Sequence, residues 1–323
     1  MRFQMNPIFR KELRTGARTF RFPLAITAYA LFLSGLSMIF FTTSAWSYTY
    51  NVDRLARMDY EAFTEYFMIL CVIQLVITCM IMPAITASAI AGERERQTLD
   101  LMLTAPVSPM AIVFGKLMGA LCQLMIFIVA SVPAMSLCFV FGGIKWQYIL
   151  YFLISEVVIA FFAGAIGIFC SSVFKRTVAS IIVTFIIESL FYLGILIVFS
   201  VIYSYNMFVA QPATITSGLS NQTVVGLIAL ILLFDPAISV ADFMLAPILG
   251  EGIGSVTISS LWNSTDLSTP LAILLKLNGI PGLIITVLMG VGFMYLAARR
   301  IDSVRRKHRR RKEERRASAK APK

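Results

Sequence analysis

The sequence predicts an all-α polytopic membrane protein. Six transmembrane helices are expected, with an N-terminal amphipathic interfacial helix and an outer half-inserted helical hairpin before the last span. Three observations carry this reading. The 323-residue chain is 58% hydrophobic and 14% charged, whereas soluble domains are nearer half apolar with about a quarter charged. Apolar runs of more than about 18 residues recur, each long enough to cross roughly 30 Å of hydrocarbon as a helix. The net charge of +11 sits at the two ends: residues 1–21 hold six Arg/Lys against Glu12, and residues 299–323 hold thirteen against Asp302, Glu313 and Glu314.

The first element is the segment "NPIFRKELRTGARTFRFP", which sets Ile8, Phe9, Leu13 and Phe20 among basic residues. With Asn6 as a cap and Pro7 at the first helical position, residues 1–22 read as a short helix. Lying in the interface, it would bury its apolar stripe and present Arg and Lys to anionic lipid headgroups. A disordered basic leader is the alternative. The basic lead-in and the long first apolar run do not match a cleavable signal peptide.

The spans are expected at 23–45, 66–91, 111–141, 147–173, 178–204 and 279–298, within a transmembrane domain covering 23–300. Pro83 and Pro133 should kink the second and third, which a bilayer tolerates when neighbours satisfy the freed carbonyls. An even number of crossings puts both basic termini on one side, and the positive-inside rule makes that side cytoplasmic, in the cytoplasmic (inner) membrane. Aromatic residues agree. Trp46, Tyr48 and Tyr50, Trp146, Tyr148 and Tyr151, and Tyr203 and Tyr205 all fall at the expected outer interface, where amphipathic rings prefer to sit.

Residues 205–278 form the outer region. The apolar stretch from Val224 to Phe234 is short for a span but suits a helix that enters the outer leaflet, with "DPAISVADFML" as its return limb. A seventh span through 224–250 is the rival; it would carry Asp235 and Asp242 and leave the basic tail outside. That tail, 301–323, is expected to continue the last span for a few helical turns and then lose order.

Composition also excludes function classes. No long polar region remains to build a soluble catalytic domain. The single histidine, His308, lies in the tail, so neither a His-containing catalytic set nor a histidine metal cluster can form. "VFGKLMG" lacks the first glycine and the Ser/Thr of a phosphate-cradling loop. Cys71, Cys79, Cys122, Cys138 and Cys170 lie in apolar runs without CxxC spacing and read as structural thiols. No catalytic, cofactor-binding or metal-binding residue is therefore expected in this chain. The basic tail follows a membrane span, so it reads as a topology signal with anionic lipid contact, not as a nucleic-acid site.

Two carboxylates stand inside expected spans, Glu156 and Glu188. A charge there costs at least a few kcal/mol, so such residues face an interior or a wet route. They could contact substrate, a proton or a partner; alternatively each is a protonated acid hydrogen-bonded between helices. Gln74 and Gln123 read as interhelical glue, and the small residues of "FFAGAIGIFCSS" as a close-packing surface.

The most unusual segment is "SAIAGERERQTLDLMLTAPVSP". Five of the eight residues from Glu93 to Asp100 are ionisable, and topology places residues 92–110 in a cytoplasmic loop between spans two and three. Gly92 would permit a break, and Ser108-Pro109 would cap the following helix. Leu99, Met102 and Leu103 share the i, i+3, i+4 spacing of one apolar stripe, flanked by Glu93, Arg94, Glu95 and Arg96. A short helix of this kind suits docking into a groove on a soluble partner.

The residues from Pro83 to Leu121, "PAITASAIAGERERQTLDLMLTAPVSPMAIVFGKLMGAL", closely resemble the signature region of ABC-2-type permeases, the type V exporter-like membrane subunits of ABC transporters. The amphipathic N-terminal segment resembles the elbow helix of that family, and "GIFCSSVFKRTVAS" its fourth-to-fifth span junction. Gln97 departs from the pattern, where glycine is commoner. The resemblance implies a separate cytoplasmic ATPase subunit that binds ATP and Mg and docks on the charged loop, and a second permease subunit. It implies coupling roles for Glu93, Arg94, Glu95, Thr98 and Leu99, with Arg96, Met102 and Leu103 completing the interface. Two other readings stay open: a secondary transporter or channel using Glu156 and Glu188, and a membrane scaffold without transport.

Overall fold

The computed structural model describes residues 21–50, 60–99, 108–140, 144–209, 234–249 and 279–320. Among them are eight helices and no strand: α1 Arg21–Tyr50, α2 Tyr60–Thr86, α3 Ala91–Glu95, α4 Pro109–Val140, α5 Trp146–Val173, α6 Thr177–Val209, α7 Pro236–Leu249 and α8 Ile280–Lys320. Five stretches are long and apolar enough to cross a membrane: Phe22–Thr43, Phe63–Glu95, Pro109–Val140, Trp146–Val173 and Ile280–Arg306. The remaining expected span, 178–204, falls within α6, whose described apolar stretch Thr177–Leu193 is shorter. Most of the expected N-terminal interfacial helix and most of the outer region lie outside the described residues.

Burial runs opposite to that of a soluble protein. Leu31, Met38, Val129, Leu190 and Leu288 are exposed, while Gln74, Thr78, Ser131, Glu156, Thr184 and Glu188 are buried. Polar side chains at membrane depth turn inward because hydrocarbon offers them no hydrogen bonds. Several of their partners come from other helices. Tyr66 donates to Ser37 at 2.5 Å, and Tyr29 donates to the Gln74 carbonyl oxygen. Gln74 is thus the interhelical glue its sequence position suggested.

Helix α5 occupies the centre, packed by α2, α4, α6, α7 and α8. The small residues Ala160, Ala163, Gly164, Ala165 and Gly167 are buried along it. A Cβ on Gly167 would stand 2.0 Å from Thr86 Oγ1 and 3.2 Å from the Ala87 nitrogen, and one on Gly164 would stand 2.5 Å from Leu117 and Met82 side-chain tips. These glycines let α2 lie against α5 closely enough for dispersion to bind them.

Helix ends follow local chemistry. The Ser108 hydroxyl accepts from the Ala111 N–H at 3.2 Å, and Pro109 opens α4, the cap arrangement expected from sequence. The segment expected to be a return limb is helical: the Asp235 carboxylate accepts from Ala237 and Ile238 N–H groups at 2.8 and 3.3 Å and starts α7. α7 packs on α5, α6 and α8.

The tail departs from expectation. In place of a few turns followed by disorder, α8 runs unbroken to Lys320. Arg, Lys, Glu and Ala are strong helix formers, no Gly or Pro occurs from Phe293 to Lys320, and Asp302 pairs with Arg306 at 2.8 Å.

Candidate functional site

α2 ends at Thr86, three residues after Pro83, and a turn leads into the five-residue α3. No side chain of its own caps α3. Instead, the Ser171 hydroxyl oxygen of α5 accepts from both the Ile90 and Ala91 N–H groups at 2.8 Å, satisfying donors that a helix start leaves unpaired.

The charged residues of α3 then fasten it to the α5–α6 junction. Arg94 donates to the Phe174 carbonyl at 2.9 Å and the Ser172 carbonyl at 3.2 Å. These belong to the last turn of α5 and its cap, where a cation complements the helix dipole. Glu95 accepts from the Thr177 N–H at 2.8 Å and the Thr177 hydroxyl at 2.7 Å, placing an anion on the first turn of α6. One cation at a C-terminus and one anion at the next N-terminus lock a five-residue helix onto two long ones.

Glu93 faces the other way. Its carboxylate accepts from the Thr98 hydroxyl and lies 3.7 Å from Lys116 Nζ on α4, whose side chain is almost wholly buried. α3 is thereby tied to α4, α5 and α6. A cleft of about 600 Å³ opens beside it, lined by Glu93, Arg96, Thr98, Lys116, Gln123 and Thr177.

Glu93, Arg94 and Thr98 are half-buried and engaged within the chain, and Glu95 is exposed but bound to Thr177; Arg96 is exposed. Leu99 is buried in the bundle core, so it does not stand out as one end of an outward apolar stripe. Met102 and Leu103 lie outside the described residues. A single helix from Glu93 onward is not observed: α3 stops at Glu95, and Gln97 takes φ +58°. Glycine would adopt that left-handed turn without the strain a Cβ brings. Gly92 lies inside α3 and does not make the break.

Ser171, Thr177 and Lys116 complete the junction and were not picked out as site residues. Their segments, "GIFCSSVFKRTVAS" and "VFGKLMG", were visible, but which side chains meet, Lys116 with Glu93 and the other two across about 80 residues, is a tertiary fact.

A family model for ABC-2 family transporter proteins matches residues 6–240. The chain belongs to the ABC-2 transporter family. As an ABC-2-type permease it is a multi-pass membrane component of an ABC transporter, and the match takes in α1 to α6 with the whole pinned junction. No curated protein matches the chain significantly.

Deeper in the ABC-2 permease lie the two carboxylates expected inside spans, both buried. Glu156 on α5 accepts from the Thr78 hydroxyl of α2 at 2.6 Å, an interhelical tie. Glu188 on α6 differs, because its Oε1 has no hydrogen-bond partner. Asp235 Oδ2 is likewise buried without one, and the buried Tyr192 hydroxyl lies beside Cys79, within electrostatic reach of Glu188 and Asp235. Beside them Ile159, Val240 and Leu283 pack with Cys79, Tyr192 and Phe243, so five helices converge there. The sequence singled out Glu156 and Glu188 alike; only the packing separates them.

Proposed function

We propose that this ABC-2 permease is the membrane subunit of an exporter driven by a separate cytoplasmic ATPase that binds ATP and Mg. Both termini and the α3 junction face the cytoplasm, in keeping with the basic ends. Two permease subunits, identical or homologous, form the pathway. α6 completes a six-span bundle, and the α7 region is the return limb of a half-inserted outer hairpin.

The observation that carries this reading is the fastening of α3 to α4, α5 and α6 by Glu93–Lys116, Arg94–Ser172/Phe174 and Glu95–Thr177. A partner pressing on an isolated loop would move only the loop. Pressing on α3 moves the ends of three long helices together. In this arrangement the exposed Arg96, with Gln97 at the left-handed turn, meets the ATPase, while Glu93, Arg94 and Glu95 transmit its displacement.

The test separates docking from transmission. The ATPase subunit that co-purifies with the wild-type chain is quantified with variants. Arg96→Glu should lose the subunit while inserting normally. Arg94→Ala should retain it but lose the permease's effect on its ATP hydrolysis rate. Both variants behaving as wild type in both measurements would sink the reading.

A further inference from the structure

α8 holds 41 residues, about 60 Å at 1.5 Å per residue, roughly twice the hydrocarbon thickness. Its apolar portion can cross the bilayer, and residues 301–320 then add about 30 Å more. Nothing in the sequence from Phe293 to Lys320 supplies a kink, since no proline or glycine occurs there. The extension is a continuation of a membrane helix, and it lies beyond the residues that the family model matches.

Its charge density is extreme. Nine of the twelve residues from Arg305 to Arg316 are Arg or Lys. Arg305 and Arg309, Arg306 and Arg310, Lys307 and Arg311, Arg311 and Arg315, and Lys312 and Arg316 all repeat at i, i+4, a spacing at which like charges oppose the helix. Only Glu313 and Glu314 offset them in that stretch. A helix this charged gains most from a polyanionic partner.

The anionic membrane surface fits poorly. From Arg305 to Lys320 the apolar residues are only Ala317 and Ala319, so no stripe exists to lay the helix flat in a bilayer interface. Left upright, its distal turns stand well beyond the Debye length of about 8 Å from the headgroups.

Position selects among the rest. Arg300, at the root of the extension, lies within electrostatic reach of Arg94 in the α3 junction. A subunit seated on that junction therefore has the rod rising beside it. We propose that residues 305–320 form a basic helical arm that holds an acidic side surface of the ATPase subunit, a second contact besides the α3 junction. This rests on the proposed docking of that subunit.

The complex is purified through the wild-type chain from its own membranes. It is compared with one carrying Arg309→Gln, Arg310→Gln, Arg311→Gln, Lys312→Gln, Arg315→Gln and Arg316→Gln, which leaves the cations nearest the membrane in place. ATPase retention is followed from low to molar salt. The variant should release the subunit at markedly lower salt, with retention at physiological salt reduced roughly tenfold. A chain ending at Lys307 should behave the same, which keeps the test valid if the sixfold variant inserts poorly.

Identical salt profiles for wild type and either inserted variant overturn the arm proposal alone. No ATPase on the wild-type chain at any salt overturns the docking reading and the arm with it. Protection of the arm from trypsin by phosphatidylglycerol vesicles or by RNA, with no effect of the ATPase, also overturns it, in favour of those polyanions.

Discussion

Glu95 accepts two hydrogen bonds from Thr177, one from its backbone N–H at 2.8 Å and one from its hydroxyl at 2.7 Å. Thr177 is the first residue of α6, so a residue 82 positions earlier performs the capping that a helix start needs. Arg176 adds a cation within electrostatic reach of the same carboxylate. The pair is exposed, so its value lies in fixing where α3 sits and not in stability.

Disrupting that pair should therefore change transmission more than folding. Glu95→Ala is expected to leave thermal stability in detergent nearly unchanged and to keep the ATPase subunit bound. It should weaken the permease's effect on ATP hydrolysis. Thr177→Ser retains both donors and should behave as wild type, whereas Thr177→Val retains only the N–H and should fall between. Equal hydrolysis rates across all three variants would show that the pair plays no part in coupling.

Gln97 offers a gain. Its φ of +58° puts a residue with a Cβ in a backbone region that costs it about 1 kcal/mol and costs glycine almost nothing. Gln97 is also exposed, so little side-chain packing is lost on truncation. Gln97→Gly should raise stability by up to about 1 kcal/mol, read as a higher Tm, while Gln97→Val should lower it. A lower Tm for the glycine variant would mean that the side chain makes a contact worth more than the strain.

The glycines of α5 predict the opposite direction. Gly167→Ala would drive a Cβ to 2.0 Å from Thr86 Oγ1 and 2.9 Å from its Cβ, with the Ala87 backbone nitrogen 3.2 Å away. No flexible tip can retreat, so a loss of about 1–3 kcal/mol is expected. At Gly164 the obstacles are the ends of Leu117 and Met82 side chains, which can rotate, and the loss should be smaller. Gly35 and Gly292 meet nothing within 4 Å, and alanine there should be neutral or mildly stabilising. Thermal melts of the four variants in one detergent would show this order or refute it.

Much of this architecture was legible because single residues encode it. Apolar length placed six spans, five of which coincide with stretches long and apolar enough to cross a membrane, Ser108-Pro109 gave the start of α4, and the run around Gly164 and Gly167 marked a packing face. The charged segment was found for the right reason, its density in an apolar chain. Its internal arrangement was not readable. Spacing set Leu99, Met102 and Leu103 on one helix flanked by the charges of Glu93 to Arg96, but the left-handed Gln97 separates Leu99 from α3. Arg94 and Glu95 looked outward-facing until α5 and α6 supplied partners about 80 residues away. The tail differs from its expected disorder: "ASAKAPK" suggested a disordered end, while Ala317, Ala319 and Lys320 lie within α8.

Glu188 and Glu156 give the sharpest contrast. Both are buried, yet Glu156 accepts a hydrogen bond from Thr78 at 2.6 Å while one oxygen of Glu188 has no partner. Thr78→Val should leave the Glu156 carboxyl partly unsatisfied and cost about 1–3 kcal/mol. Glu188→Leu removes an unsatisfied buried group and fills similar volume with hydrocarbon, a replacement that is often neutral or stabilising. Its Tm should hold or rise. If Glu188 serves the transport path, the same variant loses transport while gaining stability, the trade expected of a residue kept for function. Melting curves and ATPase-dependent transport, measured on one preparation of each variant, decide the matter. A Glu188→Leu protein that melts lower than wild type would mean that Glu188 stabilises the bundle and that its unpartnered oxygen carries no functional meaning.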